Sequence, residues 1–193
     1  MYVLLGASNC VRMHSNFPIG NCVSLARSGA TVSQVQNLPW LKGILEEYLK
    51  QYPRGCHKND VILIVAGTND MRKNVSHSDF KVHLKSLLRY CTKHFRKIVL
   101  GKIPPIPIEC DCVNERIVFL NRWLESVAEG RPDLICVDTH RPFLEATSTV
   151  PCKLFFEKVY HNKFDKEGNP LVDLLHLNEL GLFILKDLLL QAC

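Results

Sequence analysis

Five residues of this sequence, Ser8, Gly29, Asn69, Asp173 and His176, have the types that serine-based acyl transfer requires. A serine hydroxyl becomes a nucleophile only when a base takes its proton, and that base needs a carboxylate to hold its ring in the right tautomer. The oxyanion formed on the attacked carbonyl needs hydrogen-bond donors as well. Ser8 stands in Gly6-Ala-Ser8-Asn9, directly after an apolar run. Asp173 precedes His176 by three residues in Asp173-Leu-Leu-His176, so its carboxylate can reach the ring from one turn. Asn69, in Gly67-Thr-Asn69-Asp70, offers a side-chain amide, and the backbone N–H groups of Ser8 and Gly29 would complete an oxyanion hole.

Each of these residues also has an ordinary reading. Ser8 would cap a helix, Asn69 and Asp70 would form a turn after a buried strand, His176 would be a surface residue, and Gly29 would permit a turn. Joint placement favours chemistry. In a parallel sheet, reactive groups collect beyond the carboxyl ends of the strands, and Ser8, Gly29 and Asn69 follow three consecutive candidate strands.

Short apolar runs alternate with helix-length amphipathic stretches, the pattern of a parallel α/β sheet covered by helices. Strands are expected at 2–5, 22–26, 61–65, 98–101 and 134–137. Val32, Val35, Leu38, Leu41, Leu45 and Leu49 predict a helix over 32–49, interrupted by Pro39. Further helices are predicted over 78–95 and 113–128, with a closing helix over 178–190 entered through Asn178 as a cap. Segments 11–21 and 141–170 read as loops longer than connections usually run, a kind that often builds binding sites. Within the second, Phe143, Phe155, Phe156 and Tyr160 would wall a substrate pocket or, as such aromatics more often do, fill the core.

At 193 residues and 47% hydrophobic, the chain can bury roughly 70% of its unfolded surface, so packing alone can hold it. No linker or repeat divides it, and 1–193 reads as one domain. Opening on a strand and closing just after a helical pattern, it reads as a domain excised from a longer protein. No apolar run approaches the roughly 18 residues of a membrane span. The nine cysteines show no regular spacing, which argues against a disulfide framework and for buried thiols in a reducing, intracellular and cytoplasmic setting. Cys110-Asp-Cys112 is too closely spaced for a zinc knuckle and has no matching pair downstream, so no metal is expected. The phosphate-binding patterns Gly-x-x-x-x-Gly-Lys-[Ser/Thr] and Gly-x-Gly-x-x-Gly are absent, and Ala7-Ser8-Asn9-Cys10 is a meagre loop for a flavin phosphate. No cofactor is expected. The formal charge of +5 is mild; its densest run, Lys93, His94, Phe95, Arg96 and Lys97, reads as a solvated helix end or as a site for an anionic partner.

In order, GASN, a Gly after the second strand, GTND and DLLHLN resemble the four blocks of the SGNH (GDSL-type) hydrolase superfamily, over nearly the whole chain. The resemblance implies a flavodoxin-like three-layer sandwich and a catalytic set of Ser8, Gly29, Asn69 and His176, with Asp173 completing a triad. It departs from the family at Ala7, where an Asp usually precedes the nucleophile. Within that superfamily the cysteine-rich, mildly basic chain is similar to the esterase domain of the first open reading frame protein of some LINE-type retrotransposons, which implies a parent protein associated with RNA and lipid. The expected function is a serine esterase acting on small acyl esters or lipids, acetyl or another short chain, through an acyl-enzyme. The alternative is a non-catalytic module on the same sheet that binds RNA or membrane.

Overall fold

Residues 61–65 are five buried apolar residues in a row, and a strand without a polar face must be covered on both sides. The computed structural model, which describes residues 1–52, 58–107, 111–146, 151–173 and 175–193, shows how that is done. Cys56 and Cys110 lie outside the described residues, and with Cys110 the Cys110-Asp-Cys112 metal reading. Strand Val61–Val65 (β3) pairs in parallel with Tyr2–Gly6 (β1) on one side and Lys97–Gly101 (β4) on the other. Cys22–Ser24 (β2) extends the sheet beyond β1, and Leu134–Val137 (β5) extends it beyond β4. The order β2-β1-β3-β4-β5 makes an all-parallel sheet of five strands, as the alternation predicts.

Side chains alternate along a strand, so Ile62 and Ile64 face one layer of helices while Leu63 and Val65 face the other. On the first side pack Leu41–Lys50 (α2), His77–His94 (α4) and Asp111–Ala128 (α5), through Leu45, Leu84, Leu88, Ile117 and Leu120. On the second pack Ser8–Asn16 (α1) and Glu179–Gln191 (α6), through Met13, Leu182, Leu185 and Leu189. The result is a three-layer α/β sandwich. Ile62, Leu63 and Ile64 are wholly buried, and each such side chain contributes about 1.5–3 kcal/mol of transfer free energy.

The entries to α4 and α6 follow local chemistry: Ser76 Oγ accepts the Asp79 N–H at 3.1 Å and Asn178 Oδ1 accepts the Gly181 N–H at 3.0 Å. Three expectations need correction. The helix read over 32–49 forms only in its second half, as α2. Asn37 takes a left-handed φ of +61°, which a right-handed helix cannot run through, and Pro39 restricts the residue before it. Segment 11–21, read as a loop, contains most of α1, whose buried stripe of Cys10 and Met13 is too short to stand out as a period. Segment 141–170 contains two 3₁₀ turns, Arg141–Phe143 and Lys153–Phe155, and a strand Val159–Phe164 (β6) paired antiparallel with Pro170–Val172 (β7). Among its described side chains, Val159, Phe164 and Leu171 are all exposed.

Cys10, Cys22, Cys91, Cys136, Cys152 and Cys193 carry free thiols, whereas Cys112 is disulfide-bonded. Among the described residues no helix is long and apolar enough to cross a membrane.

Candidate active site

The chain steps from β1 outward to β2 and then returns to β3 on the opposite flank of β1. Where strand order reverses in this way, the loops leaving the two neighbouring strands part and open a crevice beyond their carboxyl ends. The register pairs Gly6 with Val65, so the turns that follow β1 and β3 end side by side. A small cleft opens there, lined by Ala7, Ser8, Asn9, Val65, Ala66, Thr68, Asn69, Pro104 and Leu175, and enclosing about 320 Å³ with the solvent at its mouth.

Gly67 sets the exit from β3. Its φ of +113° lies where side chains are strained, and a Cβ would stand 2.7 Å from the Ile103 side chain. The chain therefore turns sharply into the short helix Thr68–Arg72 (α3), which delivers Asn69 to the cleft. Across the crevice α1 begins at Ser8, with Ala7 in the cap position making no side-chain bond. Ser8 is thus not the cap. Its Oγ lies 3.0 Å from His176 Nε2, a contact between residues 168 apart in the chain.

His176 Nδ1 lies 2.7 Å from Asp173 Oδ2. The other carboxylate oxygen accepts the backbone N–H groups of Leu175 and His176 at 3.0 and 3.1 Å, so both oxygens of the 2%-exposed Asp173 are engaged. An ionised carboxylate only accepts, which places the ring proton on Nδ1 and leaves the Nε2 lone pair facing the Ser8 hydroxyl. Such an array can take the proton from Oγ and hold it while a bond forms to oxygen.

Asn69 Nδ2 donates one hydrogen to Ala30 O at 2.9 Å, which leaves the second N–H of the amide for the cleft. As the first residue of α1, Ser8 has a backbone N–H without an intrahelical acceptor. Gly29 has φ +77° but does not line the cleft; its neighbour Ala30 is what touches Asn69. The structure therefore brings together Ser8, Asn69, Asp173 and His176, and leaves Gly29 one residue behind them.

Sequence reasoning missed the residues that brace these groups. Asp70, wholly buried, accepts the Ser33 N–H at 2.8 Å and the Val32 N–H at 3.0 Å, tying α3 to the loop after β2. Burial pushes its carboxyl up from the ordinary value, against the pull of those two donors. Asn9 Oδ1 accepts the Leu177 N–H at 3.1 Å, and Arg12 pairs with Glu157 at 2.5 Å, so α1 grips the segment that carries His176. Two amides on α5 hold the loop after β4: Asn121 brackets Ile103 at 2.7 and 3.0 Å, and Asn114 brackets Ile106 at 2.9 and 2.7 Å. Pro104, between them, lines the cleft. Cys10, two residues after the serine, packs its Sγ 3.7 Å from Val65 O, and its thiol is pushed up to about 12 by burial.

Of the two readings of the aromatics in 141–170, the described ones follow the core reading. Phe143 and Phe156 are buried in the layer of α1 and α6, and no described residue of that segment lines the cleft; the side chain of Tyr160 lies outside the described set. Among the described residues no group of three or more His, Cys, Asp or Glu is placed to hold a metal ion.

Residues 7–182 match the GDSL-like lipase/acylhydrolase family, a span that runs from the turn before Ser8 into α6. The chain belongs to that family. Solved structures show this acylhydrolase fold elsewhere. A GDSL-family lipolytic protein from Veillonella parvula is 14% identical, with 98% of this chain and 96% of that one covered at a TM-score of 0.69. The acetylxylan esterase Axe2 from Geobacillus stearothermophilus, solved as a catalytic mutant, is 16% identical, with 98% and 92% covered at 0.62. The CTD of the Drosophila Oskar protein is 15% identical, with 98% and 86% covered at 0.69. At such identities the likeness is one of fold. No curated protein matches this acylhydrolase-family chain in sequence.

Proposed function

We propose that the chain is a serine esterase that hydrolyses short-chain acyl esters through an acyl-enzyme, without a cofactor. The observation that carries this reading is the unbroken Asp173–His176–Ser8 hydrogen-bond chain, at 2.7 and 3.0 Å, beside a small cleft. Ser8 Oγ attacks the ester carbonyl carbon while His176 Nε2 takes its proton, and the carbonyl electrons move onto oxygen. The donors assigned to that oxyanion are the Ser8 N–H and the second N–H of Asn69. Gly29 serves by its left-handed turn, which presents Ala30 O to Asn69. Collapse breaks the carbon–oxygen bond and the leaving alcohol departs with the proton from His176. Water, deprotonated by the same nitrogen, then attacks the acyl carbon and frees Ser8.

A small cleft walled by Ala7, Ala66, Pro104 and Leu175 suits an acetyl-sized group better than a long chain. Axe2, described as an acetylxylan esterase, supports that choice. A module used only for binding would have no need of a serine hydroxyl aimed at an oriented imidazole. The six free thiols support a reducing compartment, with Cys112 as the exception.

The test is hydrolysis of aryl acetate, butyrate and octanoate by the wild type and by Ser8→Ala. Turnover should be greatest with acetate and should disappear in the variant. Turnover that survives Ser8→Ala would overturn the reading.

A further inference from the structure

Helix α4 carries Lys81, Lys85, Arg89 and Lys93 at four-residue intervals, and the last of them opens the basic run noted in the sequence. Four residues of helix rise about 6 Å, so the cations form a line roughly 18 Å long. Like charges at this interval repel one another and weaken a helix. None of the four forms an ion pair among the described residues. Alongside them α5 presents Phe119, 49% exposed, and the half-buried Trp123. Lys81 Nζ lies 4.6 Å from the Phe119 ring centroid and 5.4 Å from that of Trp123, while Lys85 Nζ lies 5.9 Å from Trp123.

We propose that this α4–α5 face binds single-stranded nucleic acid, with phosphates along the line from Lys81 to Lys93 and a base stacked on the face of Phe119 opposite His77, whose ring stacks on it at 4.8 Å. An uncompensated row of cations complements a polyanion, and an aromatic ring beside it complements a polyanion that carries flat rings. The repeat of the row is commensurate with the phosphates of an extended strand. A lipid surface fits less well, because Val82 and Phe119 are the exposed large apolar side chains of these two helices, too few for an inserting face. The face lies on α4 and α5 rather than at the cleft, so the inference does not depend on the esterase reading.

The test is fluorescence anisotropy of the full chain with a labelled oligouridylate of about 12 nucleotides, a length within the range such platforms cover. Affinity should fall with salt at a log–log slope of about −3, from about 0.7 for each of the contacted phosphates. Lys85→Glu combined with Arg89→Glu should weaken binding at least tenfold and flatten the slope to about −1.4. Phe119→Ala should weaken it about tenfold at an unchanged slope. Both variants should keep the far-ultraviolet circular dichroism and melting of the wild type. Binding undiminished in either variant overturns the proposal. So does failure to bind the oligomer at low salt while the chain cosediments with phosphatidylserine vesicles.

Discussion

Two regions of the molecule supply the site, and different forces hold them. Ser8 and Asn69 stand just past the ends of β1 and β3, neighbouring strands locked by five register pairs in the middle of the sheet. Asp173 and His176 stand on a segment outside the sheet, between the β6–β7 hairpin and α6. Among the described residues, Glu157 N to His176 O at 2.9 Å, Asp173 N to Lys158 O at 3.1 Å, Asn178 N to Phe155 O at 3.0 Å and the Asn9 contact with Leu177 fasten that segment. The first region inherits its precision from the core. The second owes its precision to a local Asp–His turn and a handful of cross-braces, which can be cut without opening the core.

The largest effect should come from breaking the contact where the two regions meet. Ser8→Ala and His176→Ala should each lower ester turnover roughly 10⁶-fold, and the double variant no further, because the pair acts as a unit. A double variant far worse than either single one, in the same turnover assay, would mean that the regions contribute separately.

Asp173→Asn should cost roughly 10⁴-fold, since the amide no longer fixes the ring tautomer. Its Oδ1 can still accept the Leu175 and His176 N–H groups, so melting should change little. A loss of stability with unchanged turnover per folded molecule would reduce Asp173 to a turn former. On the sheet side, Asn69→Ala should cost roughly 10²- to 10³-fold in turnover with a normal fold. Near wild-type turnover would remove its amide from the oxyanion site.

Asn9→Ala removes the brace between the regions, and should lower kcat roughly 10- to 10²-fold through misplacement of His176, with KM little changed. Asn9→Asp, which retains an acceptor for the Leu177 N–H, should recover most of the loss. Recovery absent from stopped-flow acylation rates would point to a role for the Asn9 amide nitrogen instead.

Asp70→Asn tests the sheet side by stability, leaving one of two buried N–H groups poorly paired at a cost of about 1–3 kcal/mol. Because burial raises the folded carboxyl above 3.8, the folded chain holds that proton more tightly than the unfolded chain. The wild type's advantage over the variant is therefore largest below the ordinary carboxylate value and shrinks as pH rises through the raised one. Urea titrations at about pH 4 and about pH 7 should show that sign.

What the sequence discloses follows the same division. Strands β1, β3, β4 and β5 are legible because a strand buried on both faces is a bounded apolar run. Ser8, Asn69, Asp173 and His176 are legible because strand ends and a three-residue Asp–His spacing are local facts. The braces are not. Asn9 reaches a residue 168 positions away and Asp70 reaches residues 37 and 38 positions away, and nothing in the flanking residues marks either contact. The β6–β7 hairpin escapes notice because its strand, Val159-Tyr-His-Asn-Lys-Phe164, does not alternate apolar with polar residues, and the first half of the predicted 32–49 helix fails at the left-handed Asn37 and at Pro39.

Cys10 follows Ser8 by two residues, and on a helix that step turns the side chain roughly 200° away. The hydroxyl faces His176 while the thiol, wholly buried and held protonated by an environment that lifts it to about 12, faces Val65. Sulfur is intrinsically the better nucleophile of the two, yet it is the one walled in. The corner is therefore chemoselective: an electrophile that reaches the cleft meets oxygen, and alkylating agents or peroxides leave Cys10 in its reduced form for as long as the fold holds.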